Sequence, residues 1–151
     1  LLVVQTFSKS RSFAGGRLGL AVGDEALIQD LTKMQYSTNP YAVNAMSLIL
    51  AEAAVDADPY YQENLQSIIE SREYAAERLR ELGFAVLPSK ANFLYIKLEG
   101  FGGRELYERL KERGVLVRHF AKPRIDDYIR VTIGTKPQMD EFIAVMSEVI
   151  G

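Results

Sequence analysis

The sequence predicts an α/β protein in two parts, and three observations predict it. From Phe84 onward the hydrophobic pattern sets short strands against helices, and strands with helices on one side make an α/β layer. A long helical stretch opens at Asp58-Pro59, where a capping side chain precedes proline at the first helical position. That start divides the chain into 1–58 and 59–151. Ahead of it, an apolar run at Leu1–Val4 leads into a loop rich in hydroxyls and glycines, Thr6–Gly19.

Taken in order, Leu1–Phe7 reads as a buried strand that delivers Lys9 at its C-terminal end. Arg17–Gly23 reads as the next strand, antiparallel because the loop between them is tight. Asp24 caps a helix over Glu25–Gln35, with Leu27, Ile28, Leu31 and Met34 on one face. Tyr36–Pro40 is turn-like. Asn44–Val55 is apolar nearly all round, so it is expected to be buried on more than one side. The helix from Asp58 should run to Leu82 and stop at Gly83. Phe84–Leu87 and Asn92–Leu98 read as strands, the second alternating Phe93, Tyr95 and Lys97 against Leu94, Ile96 and Leu98. Gly103–Arg113 is a helix closed by Gly114, Val115–His119 and Tyr128–Ile133 are strands, and Pro137–Ile150 is the last helix.

Composition narrows the function. The chain has 151 residues, 48% of them hydrophobic, enough for one compact domain or parts of two. A net charge of -2 points to neither nucleic acid nor an anionic membrane. With no cysteine and a single histidine, His119, neither a metal site nor a Ser/His/Asp triad is expected. No apolar run reaches the ~18 residues of a membrane span. The opening Leu1-Leu2-Val3-Val4 lacks the basic region of a signal peptide. The chain begins inside a strand and without methionine, and it reads as a fragment of something longer.

Thr6–Gly19, TFSKSRSFAGGRLG, carries the chemistry. A lysine at the end of a buried strand is costly to keep charged, and the neutral amine is the form that condenses with carbonyls. Around Lys9 lie the Ser8 hydroxyl, the Arg17 guanidinium and several glycines, which together suit a phosphate. A carbonyl-condensing amine beside a phosphate cup is what pyridoxal phosphate requires. A second cationic pair follows. Arg130 sits inside the apolar strand YIRVTIGT, where it is either a solvated edge residue or a group waiting for an anion. Arg118 sits at the strand end of GVLVRHF.

Thr6, Ser8, Lys9, Gly15, Arg17 and Gly19 are in register with the cofactor-lysine motif of the fold-type I, class I/II pyridoxal-phosphate aminotransferases, which this segment resembles. The wording is closest to the histidinol-phosphate aminotransferase branch, and the resemblance covers essentially the whole chain. It implies the C-terminal part of the cofactor-binding large domain followed by the small C-terminal α/β domain. It implies pyridoxal 5′-phosphate as cofactor, Lys9 as the amine that holds it and moves the substrate proton, and Ser8 and Arg17 as ligands of its phosphate. The segment around Arg130 resembles the family's arginine for the substrate α-carboxylate. Arg118 matches an arginine that grips the substrate phosphate, and Asn92 the asparagine that opens a small-domain strand near the substrate. Tyr36, Asn39 and Tyr41 resemble an entrance segment near a dimer contact, equally readable as a packing loop. His119 is a bystander on this reading.

The implied parent is a cytoplasmic homodimer moving an amino group between glutamate and imidazole-acetol phosphate in histidine biosynthesis. An aromatic or other amino-acid aminotransferase, or a threonine-phosphate decarboxylase, shares the lysine motif. From another class, the chain by itself is a folded but non-catalytic module. It lacks the acidic partner of the pyridine nitrogen and the aromatic residue stacked on the ring, and weak or no cofactor binding is expected of it.

Overall fold

The computed structural model describes residues 1–151. The chain forms two compact units, Leu1–Leu65 and Gln66–Gly151.

In the first unit, β1 (Leu2–Thr6) runs into a one-turn helix, α1 (Phe7–Ser10), then a 3-10 turn at Ala14–Gly16, then β2 (Gly19–Gly23). The two strands pair antiparallel, Leu2 opposite Gly23 and Thr6 opposite Gly19. Helix α2 (Glu25–Thr38) starts where Asp24 accepts a hydrogen bond from the Ala26 N–H at 3.0 Å, and it continues past the expected Gln35. Helix α3 (Ala45–Asp56) is capped by Asn44, which accepts from the Ser47 N–H at 2.9 Å.

Two expectations about burial fail here. β1 is paired on one edge only, and Val4 is 70% exposed. A two-stranded ribbon buries an apolar face only when a second layer covers it. In α3 the inward stripe is small, made of Ser47, Ala51 and Ala54 at helical spacing, while Met46, Leu48, Ile49, Leu50 and Val55 stay exposed. Spacing shows that a helix is apolar all round; it does not show how many neighbours it has.

Helix α4 (Asp58–Glu81) is 24 residues long, ending one residue before the expected Leu82, and the division between the units falls inside it. Gly83 follows with φ +89°, the left-handed conformation that closes a helix and that a side chain disfavours.

The second unit continues with β3 (Ala85–Val86), β4 (Phe93–Lys97), α5 (Gly103–Glu112), β5 (Arg118–His119), β6 (Ile129–Thr132) and α6 (Lys136–Ile150). The strands form one antiparallel sheet in the order β3-β4-β6-β5. The expected strand from Val115 shrinks to Arg118–His119, because the Val115 N–H turns back to the Leu110 carbonyl at 2.9 Å and finishes α5 instead. Alternation sorts the sheet. Leu94, Ile96, Ile129 and Val131 are buried with Ala75, Ala76 and Leu79 of α4, Leu106 and Leu110 of α5, and Met139, Phe142, Ile143 and Met146 of α6. Full burial of each large side chain, such as Leu79 or Met146, contributes about 1.5–3 kcal/mol. The opposite face of β4 and β6 carries Phe93, Tyr95, Lys97, Arg130 and Thr132.

Two contacts position this face. A Cβ on Gly103 would lie 2.5 Å from the Asp126 carbonyl oxygen, so the start of α5 sits directly against the backbone leading into β6. Helix α6 begins at a capping box in which the Gln138 side chain accepts from the Thr135 N–H at 2.9 Å, just beyond β6. On the surface, the Tyr74 hydroxyl donates to Asp140 at 2.5 Å, and Lys136 reaches the same carboxylate at 3.2 Å, joining α4 to α6.

Candidate active site

Each unit holds one cluster of candidate residues. In the first, the chain leaves β1 through Thr6, whose hydroxyl accepts from the Ser8 N–H at 3.1 Å and caps α1. Phe7 takes the buried position of that turn, and Lys9 is left exposed on the same turn. The expectation of a lysine at the end of a buried strand is therefore corrected: a helical turn intervenes, and it points the aromatic ring inward instead. The Thr6 and Ser8 hydroxyl oxygens lie 2.8 Å apart, in hydrogen-bond contact.

Arg17 has φ +54°, a left-handed conformation unusual for a residue with a side chain. Its guanidinium donates to the Ala14 carbonyl at 3.1 Å, and the buried Ser47 hydroxyl donates to the Gly16 carbonyl at 2.8 Å. The loop that carries Arg17 is thus tied to α3. Around Gly15 there is open space, so its backbone is accessible.

Arg11, just after Lys9, is the cation of this unit that bridges furthest along the chain. Its guanidinium meets Asp58 at 2.5 Å and lies 5.2 Å from the Tyr61 ring centre. Asp58 therefore does two jobs, opening α4 and anchoring the segment after Lys9. Nothing in the spacing of the two residues signals that pairing. Tyr36 and Tyr41 are exposed, and Asn39 turns back to accept from the Tyr41 N–H at 3.2 Å.

The second cluster lies on the open face of the sheet. Register places Tyr95, Arg130 and Arg118 in one row across β4, β6 and β5. Residues directly opposite in an antiparallel ladder share a face, so the two guanidinium groups are on the same side. Phe120 lies 5.6 Å from the Arg118 guanidinium carbon and 5.7 Å from that of Arg130, and Phe93 supports Arg130 at 5.1 Å. The salt bridges of this unit are all made by other residues. The Arg130 Nε is buried without a hydrogen-bond partner. Buried donors are seldom left unpaired, so this face is suited to an anion.

Asn92 opens β4, and its carbonyl accepts from the Ile133 N–H at 2.9 Å. His119 points off the row and donates from Nε2 to the Asp126 carbonyl at 2.8 Å, which is a structural tie. Phe93 and Phe120 were missed as site residues, because only the strand register shows which aromatic rings meet which guanidinium.

A protein with a lysine–hydroxyl–arginine loop in one unit and paired arginines on an antiparallel sheet in the other is of the transferase class that the family comparison defines. The family model described as aminotransferase class I and II matches residues 1–146, and the chain belongs to that family. It is 47% identical over 150 residues to a histidinol-phosphate aminotransferase of Brachyspira hyodysenteriae, covering 99% of this chain and 42% of the relative. It is 45% identical to histidinol-phosphate aminotransferase 1 of Bradyrhizobium diazoefficiens, covering 99% of this chain and 43% of that one. The crystal structure of histidinol-phosphate aminotransferase from Sinorhizobium meliloti in complex with pyridoxal-5′-phosphate matches with a TM-score of 0.83 at 26% identity, over 99% of this chain and 40% of that chain. The chain thus spans less than half the length of these relatives. No helix is long and apolar enough to cross a membrane.

Proposed function

We propose that the chain is the C-terminal portion of a pyridoxal-phosphate aminotransferase, the end of its large domain with its small domain. The proposed reaction moves an amino group between glutamate and imidazole-acetol phosphate. The observation that carries this reading is the row of Arg118 beside Arg130, two guanidinium groups on one face with no carboxylate of their own. Both proposed substrates are anions. Arg130 would fork onto the α-carboxylate, and Arg118 would take the phosphate that only the histidinol side presents.

The first unit fits the cofactor's phosphate. Ser8 and the exposed Arg17 stand in the same loop, and the backbone at Gly15 is open. When bound, the cofactor supplies the electron sink for the reacting carbon. Lys9 would hold it and, once displaced by the substrate amine, would carry the proton between the substrate's α-carbon and the cofactor's C4′ carbon. Asn92, at the start of β4, orients the substrate beside Arg130. The resemblance adds a homodimer, and sedimentation of the full-length enzyme at twice its monomer mass is the result it expects.

The deciding experiment is an amino-acceptor assay on the full-length enzyme. Imidazole-acetol phosphate should outcompete aromatic oxo acids as acceptor from glutamate, and the preference should disappear in Arg118→Ala. An enzyme that prefers an unphosphorylated acceptor would overturn the substrate assignment. Release of carbon dioxide from threonine phosphate would replace transfer with decarboxylation.

A further inference from the structure

One buried charge has no part in either cluster. Arg72, on α4, is 4% exposed. Its Nη1 donates to the Ala91 carbonyl at 3.1 Å, and its Nε and Nη2 donate to the Glu73 carboxylate at 3.2 and 2.9 Å. Its guanidinium holds the Glu73 carboxyl below its ordinary range. A buried guanidinium is costly unless its donors are used. Here one arm is spent on a single backbone carbonyl in the turn just ahead of β4.

That turn is fastened from within as well. The Ser89 hydroxyl donates to the Phe93 carbonyl at 2.7 Å and accepts from the Ala91 N–H at 3.1 Å. The next residues are Asn92, whose carbonyl takes the Ile133 N–H, and Phe93, whose ring lies under Arg130. Phe93 also meets Tyr95 edge to face at 5.8 Å. A shift of the turn would therefore move the aromatic support of Arg130 before it moved anything else on the open face.

We propose that Arg72 is a positioning residue for the anion-binding face: by holding the Ala91 carbonyl it fixes the turn that sets Phe93 beneath Arg130. The inference rests on the role given to Arg130 above. Arg72 itself touches no substrate. Lysine cannot replace it fully, since one ammonium does not reach Ala91 and Glu73 in the same fork.

The test compares Arg72→Met, Arg72→Lys and Ser89→Ala in the full-length enzyme by two readouts. Amide hydrogen exchange at Ile133 reports the turn, and steady-state kinetics with glutamate reports the face. Arg72→Met should speed exchange at Ile133 and raise the glutamate KM about tenfold, the scale of one lost charge-assisted hydrogen bond, with kcat within about twofold. Arg72→Lys should recover part of the KM. Ser89→Ala should shift both readouts the same way, and it stands in for Arg72→Met if that variant does not fold. Faster exchange with an unchanged KM would overturn positioning and leave Arg72 a purely structural residue. Unchanged exchange would remove the clamp itself. If the wild-type enzyme takes no glutamate, the functional reading fails separately, and exchange still decides whether Arg72 holds the turn.

Discussion

Arg118 and Arg130 stand directly opposite each other on β5 and β6, with the Phe120 ring within 6 Å of both guanidinium carbons, at 5.6 and 5.7 Å. Like charges opposed on a ladder are destabilising. The sheet tolerates this pair because aromatic faces screen it and the Arg118 side is exposed.

The pair should divide the substrates between them. Arg130→Lys in the full-length enzyme loses the planar fork and should raise the KM for glutamate, whose α-carboxylate it grips, well above any change for the phosphorylated substrate, which has no carboxylate. The expected rise is about 10- to 100-fold, the range of hydrogen bonds to charged groups. Arg118→Ala should weaken the phosphorylated substrate by a similar factor and leave glutamate nearly unchanged. Separate KM measurements for the two substrates check both statements.

The 151-residue chain should bind pyridoxal phosphate weakly or not at all. Titration followed by visible absorbance should show no saturating band that Lys9→Ala removes. In the full-length enzyme the same substitution should abolish transfer, and Ser8→Ala should weaken the cofactor about tenfold through one lost hydrogen bond to its phosphate. A tight, Lys9-dependent band in the short chain would contradict the first expectation.

The surface tie between α4 and α6 should depend on pH in a defined direction. The Tyr74 hydroxyl and then Lys136 hold the Asp140 carboxyl below its ordinary value of 3.8. Its contribution to stability is therefore present above about pH 4 and is lost as pH falls through the lowered value. The Asp140 carboxylate holds the Lys136 ammonium above its ordinary 10.5, so that contribution persists below that value and fades only as alkali passes the raised one. Asp140→Asn should melt lower than wild type at neutral pH, and the gap should narrow below pH 4. Melting scans from about pH 2.5 to 7 check this; a gap that widens in acid would refute it.

Truncation should separate real core from apolar surface. Leu79 is fully buried, and Leu79→Ala should cost about 2–5 kcal/mol in denaturant unfolding. Ile49 is 62% exposed, and Ile49→Ser in this chain should stay within about 0.5 kcal/mol.

Much of this architecture was legible in the residues. Asp24 and Asp58-Pro59 announced their helices, Gly83 ended one, and the alternation in FLYIK sorted β4 into a buried and an open face. These signals are local, set by caps and by side-chain period. What escaped was set by neighbours. β1 looked buried because its residues are apolar, but burial needs a covering layer. Nothing in the sequence marks Arg72, because the carbonyl it serves is at Ala91, far along the chain. The three-residue apolar stretch before Arg118 had strand character, yet Leu110 claimed its first N–H for a helix end. The candidate residues themselves were nameable from motif register. Their companions, Phe93, Phe120 and Arg11, were visible only once rings and guanidinium groups had coordinates.

The opposed arginines also carry a thermodynamic consequence. An anion bridging them would convert a repulsive edge of the sheet into a cross-linked one. Occupancy should then read out as heat resistance, growing with the logarithm of ligand concentration above its dissociation constant. A small dianion would act on the β5–β6 border as a removable rivet.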